Sequence, residues 1–481
     1  MASAGTFPSV LLITADQLRK DALGCYGGKI ISTPHLDALA VRSVLADRAY
    51  SVSPWCLPSR CSILTGLYPH RNRAYSNFRD CALNKDIPNL FTVLRKRSYA
   101  TALVGKCHFA PVPYKRTRPD VTLPYDDFRD YYLGLGIDHL DLQDDKQVSV
   151  WFSDDYSKDL DQAGYLASYR DAVWNRDLRK VFLFPGPAQW HPDAWVGRKA
   201  VEYLNHRDET EPVFMWVSFS GPHFPFDPPA EYVERVNVDA LRTTRRATRP
   251  DEFDSPDRLH HGSKHGPGNG AVGRVEGSGA APGRACKNYD EQYWFELRRN
   301  YLANVALIDD QVGLIVRAAQ RRLGDNVLII FTADHGEMLG NHGLWGKHNC
   351  AYEDVLNVPL LVHYPGQDHG MRTAAQVMLT DILPTCLGVS GVPSDGADMR
   401  DLVQAGGHRY VFSEGEGFAS VSDGRGKYVH VKQPNLECYE YFDLQRDPLE
   451  FDNVINQPQY AVHVSELRQA LLNLFMAQLL P

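Results

Sequence analysis

Four short apolar runs in this chain of 481 residues each lead into polar residues that can do chemistry. Val10–Thr14 leads into Asp16-Gln17, and Thr101–Val104 into Gly105-Lys106-Cys107-His108. Pro212–Ser220 leads into Gly221-Pro222-His223, and Val327–Thr332 into Asp334-His335-Gly336-Glu337. Continuous apolar runs suit strands buried on both faces, as in a parallel sheet covered by helices. In open α/β sheets, ligands bind outside the carboxyl ends of the strands. One polar ending of this kind would mean little. Four of them, supplying carboxylates, imidazoles, an amide and an ammonium group, predict one convergent site.

The remaining pattern fits the same α/β class. Thr33–Ala46 has helical apolar spacing, with Thr33 as cap and Pro34 in the first turn. Asn300–Leu323 predicts a long amphipathic helix just before the run at Val327, and Val358–His363 predicts a further strand. From about Tyr410 short strand-like runs follow one another (RYVFSE, FASVSD, KYVHVK, YEYFDL), then a helix near Val462–Leu479. These predict a small antiparallel sheet with a helix against it. The expected division is a catalytic α/β domain over 1–395 and a C-terminal α+β subdomain over 396–481. Asp251–Arg284 is rich in Gly, Pro, Ser and His and reads as a long surface insertion. No internal repeat is evident.

Net charge is −8, the sequence pI is about 6.1 and the chain is 43% hydrophobic. A large core is therefore expected, and neither nucleic acid nor an anionic membrane surface as partner. No stretch approaches the roughly 20 apolar residues of a membrane span. The N-terminus lacks a basic region ahead of its short apolar run. The nine cysteines are scattered and odd in number. A reducing cytoplasm is the expected location.

Asp16, Gln17, Asp334 and His335 together offer two carboxylates, an amide oxygen and an imidazole. Such a set suits Ca²⁺, Mg²⁺ or Mn²⁺, and the imidazole keeps Mn²⁺ in contention. The plainer reading makes each Asp a cap for the turn or helix that follows its strand. In Ser53–Gly66 (SPWCLPSRCSILTG), Pro58 and Ser59 put Cys56 at or near a helix N-terminus, where backbone amides favour negative charge. Cys56 then reads either as a low-pKa thiolate nucleophile or as a buried structural cysteine. Arg60, one turn further on, can reach an anion. Lys106, His108, His223 and Lys347 would bind a tetrahedral oxyanion beside the metal, and a histidine would protonate a leaving alkoxide. His70, His348 and the histidines of the 260s read as solvated or core residues. Asp193, Trp195 and Asn77 are candidates for the rim.

Cys56-Leu57-Pro58-Ser59-Arg60, followed by Leu64-Thr65-Gly66, resembles the sulfatase signature C-x-P-S-R-x-x-x-L-T-G. ITADQ, GKCHF, GPHFPFDPP and TADHGEMLGNHGLWGKH are similar, in order, to the family's metal and sulfate segments. YFDLQRDPLEFDNV resembles its closing pattern. The resemblance implies an alkaline phosphatase-like α/β fold with a large, mostly parallel sheet and a small C-terminal antiparallel sheet. It implies that a maturation enzyme oxidises Cys56 to formylglycine. It also implies that Asp16, Gln17, Asp334, His335 and position 56 hold one divalent ion, with Ca²⁺ expected and Mn²⁺ or Mg²⁺ as competitors. The Gln17/His335 pair, in place of the Asp and Asn of many relatives, is similar to the choline-sulfatase and phosphonate-monoesterase branches. The implied reaction is hydrolysis of a small-molecule or saccharide sulfate ester through a sulfo-enzyme. In it Lys106 and Lys347 hold the sulfuryl oxygens, His223 assists the leaving alcohol and His108 helps to release sulfate. Three rivals stand beside it: phosphonate or phosphate diester hydrolysis at the same site, a non-catalytic oxyanion-binding homologue, and a cysteine hydrolase using unmodified Cys56.

Overall fold

A computed structural model describes residues 7–77, 80–111, 123–175, 181–207, 211–249, 290–347, 350–433 and 436–477. The insertion read at 251–284 lies outside the described residues. Nine of the described strands form one sheet. In chain order they are β1 (Ser9–Asp16), β2 (Val44–Tyr50), β3 (Ala100–Gly105), β4 (His139–Leu142), β5 (Val213–Pro222), β6 (Val327–Ala333), β7 (Asn357–Val358), β8 (Leu360–His363) and β9 (Met371–Met378). Their spatial order is β9-β2-β8-β6-β1-β5-β3-β4, with β7 paired to β2 off this path. Every neighbouring pair from β6 to β4 is parallel. Only β8 and the short β7 run against their neighbours.

β1, β5 and β6 are buried along their whole length, as sheet faces covered on both sides must be. Of the helices, α1 spans Pro34–Ala40, α2 Cys56–Thr65, α3 Pro192–His206 and α4 Glu291–Leu323. α3 and α4 pack on each other and on β5. Because β1, β3, β5 and β6 are parallel, their polar endings meet at one edge of the sheet. β2 points the same way, so the turn entering α2 lies at that edge too. Register keeps the ends level: Thr14 sits between Ser218 and Thr332, and Ala15 between Phe219 and Ala333.

Three boundaries differ from the sequence reading. The helical spacing over Thr33–Ala46 divides: α1 ends at Ala40 and Val44 already opens β2. Val44, Leu45 and Ala46 are all buried in the sheet, so their apolar spacing carries no strand alternation. The run Val358–His363 is two strands, β7 and β8, separated at Pro359, which has no N–H for a ladder. α4 begins at Glu291 rather than Asn300, where the Asp290 side chain accepts from the Tyr293 N–H at 2.7 Å.

A second sheet holds β10 (Val411–Gly415), β11 (Phe418–Ser422), β12 (Gly426–Gln433) and β13 (Leu436–Asp443), all antiparallel and in that order. One face packs Phe418, Val429, Val431 and Phe442 against Tyr50 and Met378 of the large sheet. The other packs Val421, Tyr428 and Tyr441 against Val464, Leu467 and Leu471 of the terminal helix α5 (Ala461–Met476). At about 1.5–3 kcal/mol per buried aliphatic or aromatic side chain, both faces are strongly held. A large, mostly parallel sheet with a small antiparallel one is the architecture that the resemblance implies. Among the described residues, no helix is long and apolar enough to cross a membrane.

Candidate active site

The chain leaves β2 and turns through Ser51–Trp55 into α2, whose first residue is Cys56. Ser51 and Ser59 both donate from Oγ to the Asp334 carbonyl at 2.6 Å, fastening this turn to the end of β6. The Leu57 N–H donates to Asn77 Oδ1 at 3.0 Å, while Pro58 has no N–H to satisfy. Asn77 is thus a prop for the helix start rather than a rim residue. Arg60 is fully buried and spent on structure. It donates from Nε to the Cys107 carbonyl at 3.0 Å, and from Nη2 to the Lys106 carbonyl at 2.6 Å and to Ser218 Oγ. Its Nη1 pairs with Asp334 Oδ2 at 3.2 Å. One guanidinium therefore ties α2 to the ends of β3, β5 and β6.

Around Cys56 the expected metal-binding set assembles. Asp16, Cys56, Asp334 and His335 each bring one donor atom to within 4.8 Å of the others, and all four are buried. His335 Nδ1 donates to the Gly336 carbonyl at 2.9 Å, which leaves the Nε2 lone pair facing the cluster. Burial and the nearby Lys347 push this imidazole down to about 4, so it is neutral at pH 7. Gln17 sits at φ 65° with its amide oxygen buried and without a hydrogen-bond partner. Its amide nitrogen donates to Glu337, which fixes which end of the amide faces inward. Two carboxylates, a neutral imidazole and an orphaned amide oxygen make a donor set that fits a hard divalent cation.

Four further groups close on the same point. Lys347 Nζ lies 2.7 Å from Cys56 Sγ and 3.2 Å from His335 Nε2. Lys106 Nζ lies 2.5 Å from Asp16 Oδ2. Burial opposes the charge on Asp16, but Lys106, His223, Lys347 and His335 together hold its carboxyl well below the usual range. His108 is buried, at φ 49°, with neither ring nitrogen hydrogen-bonded. His223 donates from Nδ1 to the Phe224 carbonyl at 2.7 Å, and its N–H donates to the Asp16 carbonyl at 3.2 Å. Burial lowers the proton affinity of both histidines, with Lys106 adding to the effect on His108 and Lys347 on His223. The low-pKa thiolate reading of Cys56 does not survive. Burial, and then Asp16, push the thiol up to about 11, outweighing Lys347 and Lys106.

A segment that the sequence reading passed over supports this site. Gln143, Asp144, Asp145, Lys146 and Gln147 are at most 2% exposed, an unusual burial for five consecutive polar residues. Asp144 Oδ1 accepts from the N–H groups of Cys107 (3.0 Å) and His108 (2.7 Å), while Tyr125 and Tyr132 both donate to its Oδ2 at 2.6 Å. Asp145 holds Lys106 Nζ at 2.9 Å, so that this ammonium is shared between Asp145 and Asp16. Lys146 pairs with Asp227 at 2.8 Å and lies 3.7 Å from Asp193, whose Oδ1 accepts from the Gly221 N–H at 2.8 Å. Asp193 and Trp195 are wholly buried and belong to this scaffold, not to the rim. Only the position of QDDKQ just after β4 signals its role, because β4 adjoins β3. His70 pairs with Glu414 and lies outside the cluster, while His348 and the histidines of the 260s fall outside the described residues.

The large, mostly parallel sheet with its small antiparallel companion, and the buried cluster around Cys56 at its carboxyl edge, define a class: the alkaline phosphatase-like α/β hydrolases. The sulfatase family profile matches residues 8–392, and the C-terminal profile of N-sulphoglucosamine sulphohydrolase matches residues 340–477. The chain belongs to the sulfatase family and is a sulfuric ester hydrolase. It is 26% identical to an arylsulfatase of Clostridium perfringens over 97% of this chain and 94% of that protein. It is 27% identical to the choline-sulfatase of Rhizobium meliloti over 96% of this chain and 85% of that one. The phosphonate monoester hydrolase of Agrobacterium radiobacter shares the fold, with a TM-score of 0.76 and 24% identity over 98% of this chain and 96% of that one.

Proposed function

We propose that this enzyme hydrolyses small-molecule or saccharide sulfate esters, with position 56 as nucleophile after oxidation of Cys56 to formylglycine. The observation that carries the reading is the focus on Cys56 Sγ: Lys347 Nζ at 2.7 Å, His335 Nε2 at 3.2 Å and Asp16 Oδ1 at 3.6 Å. A buried thiol with a raised pKa is a poor nucleophile at neutral pH, which favours the oxidised side chain over the cysteine hydrolase. Its hydrate offers two hydroxyls on one carbon, one to attack sulfur and one to expel sulfate afterwards. A divalent ion held by Asp16, Gln17, Asp334, His335 and position 56, Ca²⁺ first and Mn²⁺ or Mg²⁺ next, would lower the cost of negative charge on the attacking oxygen.

The protein's own groups do the rest. Lys106 and Lys347 present fixed ammonium charges to the sulfuryl oxygens as charge builds there. His223 is held by its Nδ1 proton, so Nε2 faces the leaving oxygen. The bound anion raises its proton affinity, and His223 then protonates the departing alkoxide. His108, with both nitrogens unspent, takes the proton from the second hydroxyl as sulfate leaves. Arg60 positions the site by holding Asp334 and the ends of three strands. The relatives named for aryl and choline sulfates support the substrate class. Aryl phosphonate monoesters are a second substrate of the same anion site, with turnover below that of the aryl sulfate.

The test is mass spectrometry on the tryptic peptide containing residue 56 together with aryl sulfate turnover. The expected result is a peptide about 18 Da lighter than the thiol form, or its alkylation-resistant hydrate. Cys56→Ala is expected to abolish turnover while keeping the wild-type circular dichroism. Near-normal turnover in that variant would sink the mechanism.

A further inference from the structure

Away from position 56, a cavity of about 530 Å³ opens at the start of α4. Among the described residues, Arg242, Arg245, Arg246 and Arg298 line it, opposed by the carboxylate of Glu291. Arg246 pairs with Glu291 and lies 4.7 Å over the Trp294 ring, and Arg242 lies 5.3 Å over Phe295. An aromatic face attracts a cation without cancelling its charge. Arg298 donates to the Thr244 carbonyl at 2.9 Å, which is neutral. Burial, with Arg19 and Arg246 close by, pushes the Arg298 guanidinium down to about 10, a sign of crowded positive charge. Arg19 itself is satisfied by Asp21 and Asp354.

The cavity lies on the catalytic side of the molecule. Tyr301, further along α4, donates to the Gln17 carbonyl at 2.7 Å and so is level with the end of β1. Trp294 and Arg298 precede it by one to two turns, about 5–10 Å along the axis, beyond the sheet edge where the site lies. The wall is shared as well. Ala247 donates to Asn341 Oδ1 at 2.9 Å and accepts from the His342 N–H at 2.6 Å. A Cβ at Gly340 would lie 2.3 Å from Arg246 Cδ. These residues belong to the loop that runs from His335 to Lys347.

We infer that this cavity is a second oxyanion site, binding a sulfate or carboxylate group on the same polyanionic substrate whose ester reaches position 56. Guanidinium donors match the planar or tetrahedral oxygens of such groups. The inference rests on the sulfatase reading above.

The test compares wild type with the double variant Arg242→Gln/Arg245→Gln, whose altered side chains are both exposed. A heparin-derived sulfated tetrasaccharide is titrated calorimetrically, with inorganic sulfate as the second ligand. Turnover of 4-nitrophenyl sulfate, too small to reach the cavity, is measured alongside. The expected result is a tetrasaccharide Kd at least tenfold weaker in the variant, with kcat/KM for the aryl ester within twofold. Equal Kd values in the two proteins overturn the inference. Inorganic sulfate binding to wild type as tightly as the tetrasaccharide, and weakened equally by the variant, makes this a site for free oxyanions and overturns the substrate assignment. Absence of aryl sulfate turnover in wild type counts against the sulfatase reading, while the Kd comparison still judges the cavity.

Discussion

Asp145→Asn isolates what the buried QDDKQ segment, Gln143–Gln147, does for catalysis. The carboxylate lies 2.9 Å from Lys106 Nζ, and the two side chains are 2% and 0% exposed. At that distance and an effective dielectric constant near 20, the gross attraction is about 6 kcal/mol. Desolvation offsets part of this, as the opposing effects of burial and Lys106 on Asp145 show. The amide keeps an acceptor oxygen for Lys106, so the expected loss of stability is about 2–3 kcal/mol, rising to about 3–5 kcal/mol for Asp145→Ala. Catalysis suffers separately. Without Asp145, Lys106 has only Asp16 as counter-charge and is drawn toward it, away from the sulfuryl oxygens. A displaced transition-state donor costs about 2–3 kcal/mol, or roughly 30- to 200-fold in kcat. Urea unfolding and steady-state kinetics on an aryl sulfate measure the two effects. A variant of similar stability loss far from the site, such as Leu467→Ala beneath the small sheet, is expected to keep its kcat. The reasoning is refuted if Asp145→Asn loses stability but keeps wild-type kcat, or if it changes neither.

Three further outcomes follow from the structure. Gly105→Ala, at φ +104° and with its new Cβ 2.0 Å from the Ser218 carbonyl oxygen, is expected to lose about 3–5 kcal/mol in urea unfolding; a loss under 1 kcal/mol contradicts the packing described. Burial pushes the Asp154 carboxyl up to about 7, above its unfolded value, so its contribution to stability is full below about pH 4 and lost as pH rises through 7. Asp154→Asn keeps the acceptor for Ser157 N–H (2.8 Å) without the charge and is therefore expected to gain about 1–3 kcal/mol over wild type at pH 8 but not at pH 4; urea midpoints across that range check the sign. Dialysis against EDTA is expected to abolish turnover and lower Tm by about 3 °C, as follows for a cation present at about a hundred times its Kd, with Ca²⁺ or Mn²⁺ restoring both. Full activity after exhaustive chelation would remove the metal from the scheme.

Much of this was legible in the residues. The four apolar runs fall in strands within one or two residues of the expected bounds, because double-sided burial selects Val, Ile, Leu and Phe whatever the tertiary detail. Their polar endings then converge by topology alone, since parallel strands share a carboxyl edge. What failed was local or indirect. Val44–Ala46 continued the apolar spacing of α1, and only the sheet partners on either side, Leu361 and Val362 of β8 and Met371 to Thr373 of β9, make it a strand. Asp193 and Asn77 are polar and looked like rim residues. Their roles, holding Gly221 and Leu57, exist only in three dimensions. Asp145 could not be found by composition, because its partner lies 39 residues away in sequence. The two readings of Cys56 stayed open in the sequence because a helix N-terminus is local information, whereas burial and Asp16 are not.

The way Arg60 is held has a consequence for biosynthesis. Its hydrogen-bond partners come from residues 106, 107, 218 and 334, all made after it, and both Cys56 and Arg60 are sealed to 1% exposure or less once they arrive. If Cys56 is oxidised as proposed, an enzyme that reads it through Arg60 has to act on a nascent or unfolded chain, before β3, β5 and β6 close over the segment. A molecule that folds first is locked out of maturation. The balance between oxidised and thiol forms in any preparation then reports a race between the modifying enzyme and the folding of the sheet, and slowing synthesis downstream of residue 66 would tilt it toward the active form.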